Sequence, residues 1–105
     1  MNKLTYRPLA LTDLDAIYDI TGSDYPQRGF DFVEAIRVRC RKYLIDTPKL
    51  GPARSDLGEG IRIYPIRDKR TVVAYRIGPD EIIIVRVFYG GADYEAILLG
   101  MDDLT

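Results

Sequence analysis

Apolar residues recur at intervals of three and four along two stretches in the first half of the chain. Leu14, Ile17 and Tyr18 form the first stripe, which follows a capping signal at Thr12 and stops at Gly22. The second stripe predicts a helix over residues 30–46 and consists of Val33, Ile36, Cys40, Tyr43 and Leu44. Two consecutive amphipathic helices are therefore expected.

Shorter runs of alternating or continuous apolar residues predict four strands. Residues 4–9 predict an edge strand before the helices. Three more strands are expected at 61–66, 71–77 and 82–89, and Gly78-Pro79-Asp80 is typical of a hairpin turn between the last two. The order β-α-α-β-β-β predicts an α+β fold, with two N-terminal helices packed on one face of a small antiparallel sheet. At this length, residues 1–105 are expected to form a single domain.

Side chains alternate across a strand, so the hairpin register predicts which residues share a face. If Ile77 pairs with Glu81, the face toward the helices is almost uncharged. It would consist of Ile61, Ile63, Val73, Tyr75, Ile83, Val85, Val87 and Tyr89. The outer face would carry Arg62, Arg76, Arg86 and Phe88 among apolar neighbours such as Ile82 and Ile84.

An open sheet surface with three arginines needs either water or acidic partners, because burying an unpaired guanidinium is costly. One alternative is that Arg86 pairs internally with an acid such as Asp93 or Glu59. The charge balance adds weight to an anionic partner, since residues 28–86 contain 13 Lys and Arg against 8 Asp and Glu.

Other chemistry has little support in the sequence. The chain has no histidine and a single cysteine, Cys40, at an apolar helical position, where a packed thiol is expected. Neither a metal-ligand cluster nor a phosphate-binding loop is recognisable, so no cofactor is expected. No apolar run is long enough to cross a membrane, and the first residues lack the apolar core of a signal peptide, which predicts a cytoplasmic protein.

Five short motifs, in their order and spacing, resemble the RelE/ParE superfamily of type II toxins and favour its ParE-like branch. They are Asp13-Leu14 with Ile17, Pro48-x-x-Gly51-x-x-Arg54 leading to Leu57, Gly60-Ile61-Arg62, Tyr75-Arg76, and Ile84-Val85-Arg86-Val87-Phe88. The chain departs from the family pattern at Tyr89-Gly90-Gly91-Ala92-Asp93, where ParE-like chains commonly carry a histidine and an arginine.

The resemblance implies a toxin that a cognate antitoxin neutralises. ParE-like members poison DNA gyrase, and RelE-like members cleave messenger RNA in the ribosome. Gyrase inhibition needs only a complementary surface, for which Arg62, Arg76, Arg86, Phe88 and Tyr89 are the candidate target-binding residues. An endoribonuclease needs proton transfer, and without histidine its smallest candidate set is Arg62, Arg86 and Tyr89.

Three functions therefore stay open at this point: gyrase inhibition, which we favour, ribosome-dependent cleavage of messenger RNA, and antitoxin binding without toxicity. All three share the antitoxin, with which the chain could form a hetero-oligomer. Its helix could lie in the groove between the helices, or its strand could extend the sheet, with acidic residues where it crosses Arg62 and Arg86.

Overall fold

Two helices and a four-stranded sheet make up most of the computed structural model, which describes residues 3–101. The main elements are β1 (Lys3–Tyr6), α1 (Pro8–Thr21), α2 (Pro26–Arg39), β2 (Arg62–Ile66), β3 (Thr71–Ile77), β4 (Glu81–Tyr89) and α3 (Tyr94–Leu99). A π-helical turn, Cys40–Leu44, continues α2, and 3-10 turns occupy Ser55–Leu57 and Arg67–Lys69. The predicted order and the α+β class are confirmed.

The helical hairpin begins earlier than the sequence predicted. Pro8 occupies the first turn of α1, a position that proline favours, and Thr12 lies inside the helix with its hydroxyl bonded to the Pro8 carbonyl (3.1 Å). Gly22 and Gly29 contact each other where α1 and α2 meet, and a side chain would not fit there. A Cβ on Gly29 would lie 2.6 Å from the Tyr18 carbonyl oxygen and 3.1 Å from Gly22 Cα. The two helices therefore approach closely where they meet.

The sheet has the strand order β1-β4-β3-β2. β2, β3 and β4 are antiparallel neighbours, whereas β1 lies parallel to β4 at one edge, as expected for a strand separated from it by the helical hairpin. β1 pairs only with residues 81–84, and the chain then turns into α1. The rest of β4, from Val85 to Tyr89, has no strand on that side among residues 3–101.

The predicted hairpin register was wrong. Ile77 pairs with Ile82 rather than with Glu81, and a β-bulge at Val85 shifts the register again, so that Ala74 pairs with Arg86. A bulge adds one residue to one strand and reverses the alternation beyond it. Because of the shift at the hairpin turn, Ile82 and Ile84 face the helices, whereas Ile83 and Val85 face the other side. Beyond the bulge, Val87 faces the helices and Phe88 faces the other side, as predicted.

The predicted faces of β2 were also exchanged. Tyr64 and Ile66 pack in the core under the helices, and Ile61 and Ile63 pack on the opposite side. The pairing of Arg62 with Tyr75 fixes this orientation, because directly opposed residues share a face and Tyr75 is completely buried beneath the helices.

The sheet is covered on both faces, so the predicted open arginine surface does not exist. The second core consists of Leu57, Ile61, Ile63, Ala74, Val85, Phe88 and Leu98. Leu98 belongs to α3, which the sequence reasoning missed, and the Arg54 guanidinium joins α3 through Glu95 at 2.5 Å. Two apolar layers therefore enclose the sheet in this part of the structure.

Candidate functional site

Arg86 lies at the uncovered edge of β4, where its guanidinium forms a two-point ion pair with Asp13 of α1. The distances are 2.7 Å from Nε to Oδ2 and 2.9 Å from Nη2 to Oδ1. Asp13 Oδ2 also accepts the Val87 backbone N–H at 2.8 Å. The side chains of Arg86 and Asp13 are only 17% and 14% exposed.

The ion pair with Asp13 explains how a strand of the core accommodates a permanent positive charge. Bidentate pairing with a carboxylate is the strongest common arrangement for a guanidinium. Asp13 also accepts the Val87 N–H, which has no strand partner in the described part of the chain because β1 pairs with β4 only as far as Ile84. The alternative of an internal pair was right in kind, but the acid is Asp13 and not Asp93 or Glu59. The hydrogen bonds with Asp13 raise the pKa of Arg86, so the guanidinium stays charged.

A groove of about 220 Å³ runs along this edge, between α1 and the chain that follows β4. We call it the β4 edge groove. It is lined by Asp13, Ala16, Ile17, Ile20, Arg86, Val87, Phe88, Tyr89, Ala92 and Ile97. Ile20 is 60% exposed and Ile97 is 38% exposed, so the groove combines apolar walls with a neutralised ion pair and a strand edge.

Arg62 holds a loop rather than projecting from the sheet. Its Nη1 donates to the Gly51 carbonyl at 2.7 Å, beside the Tyr75 hydroxyl, which donates to the Pro48 carbonyl (2.6 Å) and accepts from the Gly51 N–H (2.9 Å). A Cβ on Gly51 would lie 2.5 Å from the Ile63 carbonyl oxygen. The loop therefore passes directly over β2, and Arg62 and Tyr75 fix it there.

Arg76 lies on the other face of the sheet, opposite Ile83. Its side chain extends past Gly60, and its Nε is buried without a hydrogen-bond partner in the part of the chain that the structure describes. Arg86 thus lies at an edge of the sheet, whereas Arg62 and Arg76 lie on opposite faces. The three arginines do not converge on one surface.

Phe88 and Tyr89 point to opposite faces at the end of β4. Phe88 is 5% exposed and packs against Tyr94 and beneath the Arg86 guanidinium, whose carbon is 5.2 Å from the ring centroid. Tyr89 is half-buried and meets Phe32 edge to face at 5.4 Å. Neither ring lies on an open face of the sheet, although Tyr89 borders the β4 edge groove.

The candidate endoribonuclease residues are also separated. Tyr89 pairs with Thr71 and Arg62 pairs with Tyr75, which lie four residues apart along β3, or about 13 Å at the usual rise of a strand. Arg86 is engaged by Asp13 on the far side of β4. Cys40 is completely buried, and burial raises the pKa of its thiol to about 12, so the thiol is protonated at neutral pH.

Residues 4–94 match the model of a family described as ParE toxin of the type II toxin-antitoxin system, parDE. The chain belongs to the ParE toxin family. The resemblance in the sequence motifs is thereby confirmed. The matched region of this ParE-family chain includes Asp13, Arg62 and Arg86, whereas α3 extends beyond its last residue.

Solved structures agree with the family. The ParE-family chain is similar to a protein of the chromosomal ParDE TA system from P. aeruginosa, with 27% identity and a TM-score of 0.71. The similarity covers 85% of this chain and 96% of that chain. No curated protein matches the sequence. Between residues 3 and 101, none of the helices is long and apolar enough to cross a membrane.

Sequence reasoning missed two parts of the β4 edge groove, Asp13 as the partner of Arg86 and α3 as a wall. The sequence showed Asp13 only as part of the motif Asp13-Leu14 with Ile17. Nothing in it indicated the contact with Arg86, 73 residues further along the chain. A signal for α3 was present, because Asp93 is a favourable N-terminal cap and accepts the Ala96 N–H at 3.2 Å.

Proposed function

We propose that this ParE-family toxin inhibits DNA gyrase by binding it, and that a cognate antitoxin neutralises it by covering the β4 edge groove. The family match over residues 4–94 carries the proposal, and the similarity to a ParDE system supports it. Inhibition by binding needs a complementary surface but no proton-transfer group. The chain contains no histidine, which is compatible with such a mechanism.

The positions of the candidate residues favour binding over cleavage of messenger RNA. Two of the three endoribonuclease candidates have donors engaged: Arg86 donates from Nε and Nη2 to the Asp13 carboxylate, and Arg62 donates from Nη1 to the Gly51 carbonyl. A phosphate would have to displace Asp13 before these two donors of Arg86 could stabilise a transition state.

The chemistry of the groove also defines the antitoxin segment that would cover it. Ile20 and Ile97 offer exposed apolar surface on both sides of the strand edge. Because Asp13 already neutralises Arg86, the covering segment is expected to be apolar here rather than acidic, in contrast to the expectation from sequence. An amphipathic segment that places aliphatic side chains between α1 and α3 fits this surface.

A supercoiling assay with purified gyrase and relaxed plasmid tests the target. We expect the purified toxin to block supercoiling and to increase cleaved DNA complexes, and the product of the neighbouring small reading frame to reverse both effects. Normal supercoiling together with ribosome-dependent transcript cleavage would support the endoribonuclease instead. Antitoxin binding without either effect would support a non-toxic relic.

The groove is tested by Ile20→Asp, with Val38→Asp as the matched control. Both residues are exposed on helices, at 60% and 52%, but only Ile20 lines the groove. Because a charge would have to be desolvated against apolar surface, Ile20→Asp is expected to weaken antitoxin binding at least tenfold, or about 1.4 kcal/mol, in calorimetric titrations. Equal affinities of the two variants would place the antitoxin elsewhere.

A further inference from the structure

A second groove, of about 320 Å³, lies between the turn that joins β2 to β3 and the turn that follows β4. We call it the turn groove. Its lining consists of Pro65, Arg67, Arg70, Thr71, Val72 and Gly91, a set without a carboxylate. Arg67, Arg70 and Gly91 are all exposed, so the groove is open to solvent.

Asp68, which lies between Arg67 and Arg70 in the sequence, pairs with a different arginine. Asp68 binds the Arg39 guanidinium of α2 through both oxygens, at 2.9 and 2.7 Å. These hydrogen bonds lower the pKa of Asp68 to about 2, so its charge is permanently committed to Arg39 at neutral pH. Neither Arg67 nor Arg70 forms an ion pair within residues 3–101, so the positive charge of the turn groove is uncompensated.

Arg70 connects the two turns. Its backbone carbonyl accepts the Gly90 N–H at 2.8 Å, its Nη2 lies 3.4 Å from the Gly90 carbonyl oxygen, and its guanidinium lies 5.9 Å from the Tyr89 ring centroid. Arg70 also has a positive φ of 49°, an uncommon conformation for a residue other than glycine. A strained residue held between two turns is a reason to look for a function at this point.

We propose that the turn groove binds the phosphodiester backbone of a nucleic acid. Guanidinium groups match phosphate oxygens in geometry and charge, and two of them project here without competing acids. At Gly91 a Cβ would meet nothing within 4 Å, so a bulky backbone can approach. Arg70 thereby supplies a guanidinium beside the segment Tyr89–Asp93, which itself contains no arginine.

A phosphate backbone fits the groove better than an acidic peptide does. A peptide that added a strand at this edge would need backbone donors, but Pro65, on the exposed edge of β2, offers no N–H to such a strand. A phosphodiester chain requires only charge and hydrogen-bond donors. This activity goes beyond gyrase inhibition, and it can be present or absent whichever target the toxin has.

Fluorescence anisotropy with the purified full chain tests the proposal, using a labelled DNA duplex in one arm and a labelled single-stranded RNA in the other. Arg67→Gln/Arg70→Gln is expected to weaken binding at least tenfold. For duplex DNA, loss of two phosphate contacts should reduce the slope of log affinity against log salt by about 1.8. Arg41→Gln/Lys42→Gln, at two exposed cations of the π-helical turn, is the matched control for loss of two charges.

One further variant and a competitor make the outcome decisive. Arg67→Lys/Arg70→Lys keeps both charges and should retain most of the salt dependence, and circular dichroism should show that all variants are folded. The proposal is overturned if Arg67→Gln/Arg70→Gln matches Arg41→Gln/Lys42→Gln in affinity and slope, or if the chain binds neither nucleic acid. It is also overturned if polyglutamate binds in place of both nucleic acids. Because the assay contains no gyrase, its result is separate from the outcome of the supercoiling assay.

Discussion

The two outer edges of the sheet are closed by different means. At β2, the preceding loop pairs with the start of the strand through Ala53, and Pro65 further along offers no N–H. At β4, beyond the end of β1, the carboxylate of Asp13 accepts the Val87 N–H. An unpaired edge is a template for another strand, so both edges are protected.

The difference lies in how easily each protection can be removed. The β2 edge is closed by the covalent chain, which Tyr75 and Arg62 fasten from beneath. The β4 edge depends on one ion pair between side chains. The protection of β4 can therefore be removed by a change in one side chain, Asp13, without any movement of the covalent chain.

The largest effect is expected for Asp13→Ala. This variant leaves the Arg86 guanidinium largely buried without its acid and removes the acceptor of the Val87 N–H. Breaking a buried ion pair by removing one partner costs about 3–5 kcal/mol, and a value near the lower limit is expected because the pair is slightly exposed. Urea unfolding measures this loss, and hydrogen exchange at the Val87 amide reports whether the edge has opened.

A double variant separates the pair from general packing. Asp13→Leu/Arg86→Met replaces both charges by apolar groups of similar size, which is often neutral or stabilising when a buried pair is removed completely. We expect it to recover most of the stability lost in Asp13→Ala. If Asp13→Ala were as stable as the wild type, the ion pair would not be what closes the β4 edge.

At the β2 edge, Tyr75→Phe is expected to have a smaller effect. The hydroxyl bonds both the Pro48 carbonyl and the Gly51 N–H, and its removal leaves the buried Gly51 N–H and the partly buried Pro48 carbonyl without this partner. The expected destabilisation is about 1–3 kcal/mol, with faster hydrogen exchange at Gly51 and little change at Val87. Equal acceleration at both amides would mean that the two edges open together.

The sequence predicted the elements of this fold well because they depend on local periodicity. The apolar stripe through Ile36 and Cys40 indicates a helix without reference to any other part of the chain. The face of each strand residue is different, since it depends on register. A one-residue shift at the hairpin turn reversed the assignment of Ile83 and Ile84, whereas the bulge at Val85 restored the predicted faces of Val87 and Phe88.

The candidate site was less predictable, because its contacts join distant parts of the chain. Arg86 was recognised as unusual, but no residue near it in the sequence points to Asp13 as its partner, 73 residues away. The second core was missed because α3 has only six residues, a length at which periodicity carries little information. Without α3, one face of the sheet had seemed open, and the arginines were assigned to it.

The smallest effect is expected at Arg39–Asp68, which repeats the bidentate geometry of Arg86–Asp13 at an exposed position. Its side chains are 34% and 61% exposed, so water and salt screen the charges. The pKa of Asp68 falls to about 2 in the folded state, below its usual value near 3.9, so the pair stabilises fully above about pH 4 and loses this effect as the pH falls through about 2. Asp68→Asn should therefore lower the urea midpoint slightly near neutral pH, and by progressively less as the pH falls from about 4 through about 2. A loss as large as that of Asp13→Ala would mean that geometry, and not burial, gives the β4 edge pair its strength.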